Sequence, residues 1–325
     1  MQKKLIIVFQ ILISLGLLIW LFLREDLRTQ LGQVIAQADP AWLVAGLLVA
    51  GFGNFLGIFR WGIILKMLDV IITKRNVFRM GLVGLFFNSF LIGAIGGDAV
   101  KAIWLAARGC KKSSALMSVG MDRMSGIPAL IFCSMLFMTQ RLDWLRQSAV
   151  VAGLTHLIFS YLIVIGVLFL LSLLLALKGV TERIPERGPG RLKMIELATA
   201  YRQFIVHWRE TMLTTGVSVF MFVSYYATFY CAARAFGVQV PVLDFFAFMP
   251  TVDIVSALPV SAGGFGVREQ LFTVLLGDLC QVEAAKAVLI SITGALLTMA
   301  WGLGGLIVLP SYRQATQNTV PPAVS

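Results

Sequence analysis

The chain has 325 residues, 58% of them hydrophobic and only 13% charged, with a net charge of +11 and a mean hydropathy of +0.87. A soluble domain carries about 25% charged residues, so this is a membrane protein. Its basic excess points to loops facing anionic lipid at the cytoplasmic surface, and not to nucleic acid.

In chain order, Lys3-Lys4 precedes an apolar run, Leu5–Leu23, long enough to span a bilayer. The nearest small-residue site, Ala36-Gln37-Ala38, lies well beyond it, so the run reads as an uncleaved first helix and not as a signal peptide. Further full spans are expected at Trp42–Phe59, Ser114–Met138, Val150–Leu177, Met212–Phe236 and Ala287–Leu309. Arg60-Trp61 ends the second of these and reads as an interfacial anchor, with contact to a lipid headgroup as the alternative.

Two other apolar regions are broken by glycine. The first runs from Leu82 to Ala107 and contains Gly96-Gly97-Asp98-Ala99-Val100-Lys101. The second runs from Phe245 to Leu279 and contains Gly263-Gly264-Phe265-Gly266-Val267-Arg268-Glu269. Both share the pattern Gly-Gly-x-x-Val-basic, and the match extends upstream to Ser89 with Ser256 and Leu91 with Leu258. The arm Leu82–Ile95 rises only about 21 Å as a helix, short of the roughly 30 Å of hydrocarbon. The expected fold is therefore an all-α polytopic membrane protein with about six full spans and two re-entrant hairpins related as inverted repeats. With the N-terminus inside, this topology leaves most of the 27 basic residues on the cytoplasmic side. An eight-span topology, with both hairpins crossing fully, is the alternative.

Residues 1–312 are expected to form one membrane domain, with residues 178–210 as a cytoplasmic amphipathic loop and residues 313–325 as a disordered tail. The loop carries Met194, Leu197, Tyr201, Phe204, Ile205 and Trp208 at helical spacing among basic residues. Two histidines and four cysteines fall at no metal-ligand spacing, so no metal or other cofactor is expected.

Charges inside a bilayer are costly and face cavities or partners. The embedded candidates are Asp98, Lys101, Asp122, Arg123, Asp253, Arg268 and Glu269, with Asn88 as a neutral companion. A half-helix starting after a glycine break points free N–H groups and about half a positive charge into the membrane. Lys101 and Arg268 add full charges in the first turns of those half-helices. Two such ends arriving from opposite sides would form an anion trap, as in secondary transporters built from inverted repeats. Plainer roles are open to the same residues. The glycines can serve close helix packing, Asp98 can cap a helix, Asp122-Arg123 can be a structural ion pair, and Arg268-Glu269 can snorkel to water.

Asn88 to Lys101, the Asp122-Arg123 pair, and Leu258-Pro259-Val260-Ser261-Ala262-Gly263-Gly264-Phe265-Gly266-Val267-Arg268-Glu269 resemble the flippase-like membrane domain of bacterial lysylphosphatidylglycerol synthases. That domain is the N-terminal half of the multiple peptide resistance factor, and the resemblance covers about residues 5–310. The 325 residues are expected to hold no counterpart of the aminoacyl-transferase half, so the resemblance does not imply synthesis of lysyl-lipid. The family often has proline and arginine where this chain has Ile92 and Lys101, and lysine is a point charge without arginine's bidentate fork.

The resemblance implies a non-enzymatic translocator that moves a polar-headed, anionic or phosphate-bearing lipid between leaflets of the bacterial inner membrane. Both termini would be cytoplasmic. The implied headgroup site is Asn88, Gly96, Gly97, Asp98, Lys101, Asp122, Arg123, Pro259, Gly263, Gly264, Gly266, Arg268 and Glu269. A second expectation is a membrane scaffold for a lipid-modifying enzyme or glycosyltransferase, docked through the basic loop. A third, a transferase using Asp98 or Glu269 as base, lacks a visible nucleophile–base constellation.

Overall fold

A computed structural model describes residues 32, 34–90, 96–175, 201–258 and 261–309. The expected first span, Pro259, most of the 178–210 loop and the C-terminal tail lie outside the described residues. Among the described residues all regular structure is helical.

Five helices are long and apolar enough to cross a membrane: Pro40–Met67, Lys112–Gln140, Ala149–Leu174, Trp208–Ala235 and Ala284–Leu309. Each overlaps one of the spans expected from hydropathy. We label the elements α1 (Pro40–Met67), α2 (Lys74–Phe90), α3 (Gly96–Ala107), α4 (Lys112–Met124), α5 (Gly126–Gln140), α6 (Ala149–Leu175), α7 (Trp208–Ala235), α8 (Val242–Ala257), α9 (Val267–Cys280) and α10 (Ala284–Ala300). The α4–α5 span bends at Ser125. Pro128, three residues on, has no N–H to give the Met124 carbonyl, and the Ser125 hydroxyl turns back to the Asp122 carbonyl at 2.9 Å.

α7 is the central post. It packs along α1 and also against α5 and α10. The approach is close because glycines face large neighbours: a Cβ on Gly294 would meet the Phe229 ring at 2.4 Å. α6 is the opposite case, a peripheral helix whose apolar window is only 11% buried.

The two glycine regions fold into helix pairs. α2 and α3 run antiparallel, because Asn88 meets Gly97 while Gly84, one turn earlier, meets Lys101. α8 and α9 form the second pair across the break at Ala262–Gly264. α8 has only 16 residues, yet it is buried from Asp244 through Val252, as a helix covered by protein and not by lipid must be.

The repeated Gly-Gly serves two different physical needs. Gly97 lies within α3, and a Cβ there would sit 2.0 Å from the Gly84 carbonyl oxygen, so the space is needed for helix contact. Gly263, Gly264 and Gly266 have φ of 63°, 79° and 85°, a left-handed backbone that glycine alone adopts freely. The sequence echo is thus close helix packing in one half and a chain reversal in the other.

Residues 201–206 are helical. Tyr201 and Phe204 are buried against Ile63, Ile64, Met67 and Met121, while Ile205 and Trp208 stay exposed. The end of the expected amphipathic segment is therefore docked on the membrane domain by one face.

Candidate functional site

The embedded charges gather into two groups. In the first, Arg60 on α1 donates through Nε to Asp122 Oδ1 at 2.9 Å and through Nη1 to the Ser218 hydroxyl at 2.8 Å. Lys101 Nζ reaches Asp122 Oδ2 at 3.9 Å and lies 5.0 Å from the Trp61 ring centroid. Arg123 donates through Nε to Asp98 Oδ2 at 2.6 Å. Three cations thus face two carboxylates, and the group holds one net positive charge.

Local structure explains this pairing. Asp122 and Arg123 are adjacent on one helix, so they project about 100° apart and cannot face each other. Asp122 therefore turns to α1 and α3, and Arg123 to Asp98. Arg60 does not anchor a helix end. α1 continues seven residues beyond it to Met67, and Arg60 and Trp61 are buried at 9% and 0% exposure. A charge so buried needs a partner, and Asp122 is that partner.

Asn88 and Gly97 also come together. The Asn88 side-chain oxygen accepts the Gly97 N–H at 2.8 Å, satisfying one free donor at the start of α3. Gly96 opens α3 and is half-buried.

The second group surrounds the start of α9. Glu269 is fully buried. Its Oε2 accepts the Gly266 N–H, and its Oε1 accepts the Ser291 hydroxyl at 2.8 Å. Glu269 is therefore the cap of its own helix. Arg268 Nε lies 3.7 Å from Glu269 Oε1 and 3.3 Å from Ser291 Oγ. The guanidinium is flanked by Phe265 at 5.2 Å and Phe229 at 5.8 Å. Its Nη2 is buried with no hydrogen-bond partner, a donor available to an oxygen ligand.

A cavity of about 510 Å³ lies between these groups. Arg60 and Arg123 line it from the first group, Asn54, Tyr225 and Thr228 from α1 and α7, and Asp253 from α8. Lys101 and Arg268 are not among its lining residues. They stand behind it, Lys101 beside Asp122 and Arg268 within electrostatic reach of Asp253 and Tyr225. The cations on the cavity surface are thus not the two that the glycine motifs single out.

A second hollow, about 570 Å³ and apolar, is lined by Phe52, Phe55, Phe78, Leu82 and Trp301. Phe52 and Phe55 are about half exposed, on the face a membrane protein turns to lipid. Asn54 lines both this groove and the polar cavity. Its Nδ2 donates to the Thr298 carbonyl at 3.2 Å, and Trp301 Nε1 donates to the Leu47 carbonyl at 2.8 Å.

Asn54 and Ser218 were not legible as site residues, Asp253 was legible only as an embedded charge, and Arg60 chiefly as a helix-end anchor with headgroup contact as the lesser reading. One signal for Arg60 was present: the apolar run continues through Gly62-Ile63-Ile64-Leu65 after it. Among the described residues, no three His, Cys, Asp or Glu side chains gather as a metal site would require.

A family model described as the lysylphosphatidylglycerol synthase TM region matches residues 7–305. No curated protein matches the chain.

Proposed function

The chain belongs to the lysylphosphatidylglycerol synthase TM-region family, and from that membership we propose that it moves a lipid with an anionic, phosphate-bearing head between leaflets of a bacterial inner membrane. The observation that carries this reading is Asn54, whose side chain borders both the cavity with Arg60 and Arg123 and the apolar groove. A phospholipid has the same two parts joined at one point. Its charged head needs counter-charges away from water, and its acyl chains need only an apolar path open to the bilayer.

In this reading the head enters the cavity and takes oxygen contacts from Arg60 and Arg123. Arg268 and Lys101 hold the potential of the site positive from behind it, and the unpartnered Nη2 of Arg268 becomes a contact once the wall between them shifts. No covalent bond is made or broken. The α2–α3 and α8–α9 pairs act as re-entrant hairpins. The arms have 17, 12, 16 and 14 residues, which at about 1.5 Å per residue all fall short of the roughly 30 Å core. Rocking of the two halves about the cavity alternates access. The concentration of Lys and Arg in the inter-span loops supports cytoplasmic termini.

The test is lipid flip in proteoliposomes, read by bleaching fluorescent lipid in the outer leaflet. Head-group-selective flip that is lost in Arg60→Ala and Arg268→Ala supports the reading. Absence of flip for every lipid, from protein shown to be folded, overturns it.

A further inference from the structure

The cavity that presents Arg60 and Arg123 also presents a carboxylate, Asp253. That placement opposes anion binding, since an ionised Asp253 would repel the head that the arginines attract. Asp253 stands on α8 between two buried residues, Val252 and Ile254, and is itself partly exposed, toward the cavity it lines. Among the described residues no cation lies within ion-pair distance of it. Asp98, Asp122 and Glu269, the other embedded carboxylates, all have such a partner. Asp253 is thus the embedded acid that the fold leaves open to the cavity.

The charged groups around it are Arg60 from α1, Arg123 from α4, and Arg268 from α9, the last paired with fully buried Glu269 behind the cavity. The other titratable groups around it are Cys133 on α5, Tyr161 on α6, and Tyr225 and Tyr226 on α7. Thiols and phenols are ordinarily protonated at neutral pH, so Asp253 is the group here whose charge can change with cavity contents. In the empty cavity burial favours its neutral carboxyl and the nearby arginines favour its carboxylate, so the two oppose each other. An anionic head entering beside it neutralises the arginines and adds a like charge, and both effects favour the protonated carboxyl. Binding of anion and proton therefore promote each other.

We propose that Asp253 is the site of a co-transported proton, which couples movement of the anionic lipid to the proton gradient. The proton comes from water on the side to which the cavity opens and forms one O–H bond on the carboxylate. It returns to water on the other side as the head leaves, and no other bond changes. One proton with one singly charged head carries no net charge, so a pH difference drives the exchange and membrane potential does not. This inference rests on the translocation reading above.

The experiment uses the full chain in proteoliposomes with fluorescent phosphatidylglycerol, which has an anionic head and no amine. A pH step is imposed across the membrane with the potential held at zero, and the transbilayer distribution of probe is read by bleaching, against protein-free vesicles. Full coupling shifts the wild-type distribution by about tenfold per pH unit, since the lipid ratio follows the proton ratio. Asp253→Asn is expected to settle at an equal distribution with or without the step, and Asp253→Glu to restore the response. Wild-type protein that equilibrates the probe but ignores the step overturns the proton site while leaving translocation intact. Wild-type protein that moves no lipid overturns both. An Asp253→Asn variant that still follows the step overturns the assignment to Asp253.

Discussion

Arg60 and Asp122 are joined by a 2.9 Å hydrogen-bonded ion pair between α1 and α4, with side-chain exposures of 11% and 9%. Asp122 is the hub of the first charge group, since it also receives Lys101. Removing one partner of a buried pair strands the other charge, which costs about 3–5 kcal/mol. Asp122→Ala is expected to lose stability of that order, read as a lowered unfolding midpoint in detergent. A paired Arg60→Met, Asp122→Leu variant is expected to recover part of the stability, since buried Lys101 still loses its carboxylate, and none of the flip.

Gly97 sits where α2 and α3 touch. A Cβ there has 2.0 Å to the Gly84 oxygen, and backbone has little room to yield. Gly97→Ala is expected to cost about 1–3 kcal/mol as an overpacked contact and to force the helix pair apart. Gly153→Ala on α6, where a Cβ meets nothing within 4 Å, is the matched control and is expected to be neutral or slightly stabilising. Thermal unfolding of the two side by side checks this.

Glu269 performs two jobs that different substitutions separate. Glu269→Gln keeps one oxygen for the Gly266 N–H and turns an N–H toward the Ser291 hydroxyl oxygen in place of the second acceptor, while it removes the charge beside Arg268. Glu269→Ala removes the cap as well, a further loss of about 0.5–2 kcal/mol. Ala is therefore expected to be less stable than Gln in detergent, with Arg268 left without its carboxylate in both.

Asn54 stands at the join of polar cavity and apolar groove. Asn54→Leu gives up one hydrogen bond to the Thr298 carbonyl, worth about 1 kcal/mol, in a site already part apolar. The expected result is near-normal folding with flip reduced for every head group alike, because the path between head and chains is narrowed and the cations are untouched. Arg60→Ala is expected instead to weaken anionic heads most. Flip rates across a series of heads separate the two.

Much of the architecture was legible in the chain, because the bilayer imposes a simple rule. A helix must present about 20 apolar residues to cross, so the five long helices overlap the runs expected from hydropathy. The glycine motifs likewise marked where α3 and α9 begin. What the sequence could not determine was which charge meets which. Asp122 and Arg123 are neighbours in the chain, yet a step of about 100° per residue sends them to different partners. The aligned Gly97 and Gly264 share a motif, yet one is helical and packed while the other turns left-handed at φ 79°. Arg60 looked like a helix end until α1 ran on past it to Met67. Such pairings depend on distances between segments far apart in the chain. A buried charge must find compensation in three dimensions, so only the tertiary structure decided that Arg60, Asn54 and Asp253 share one cavity.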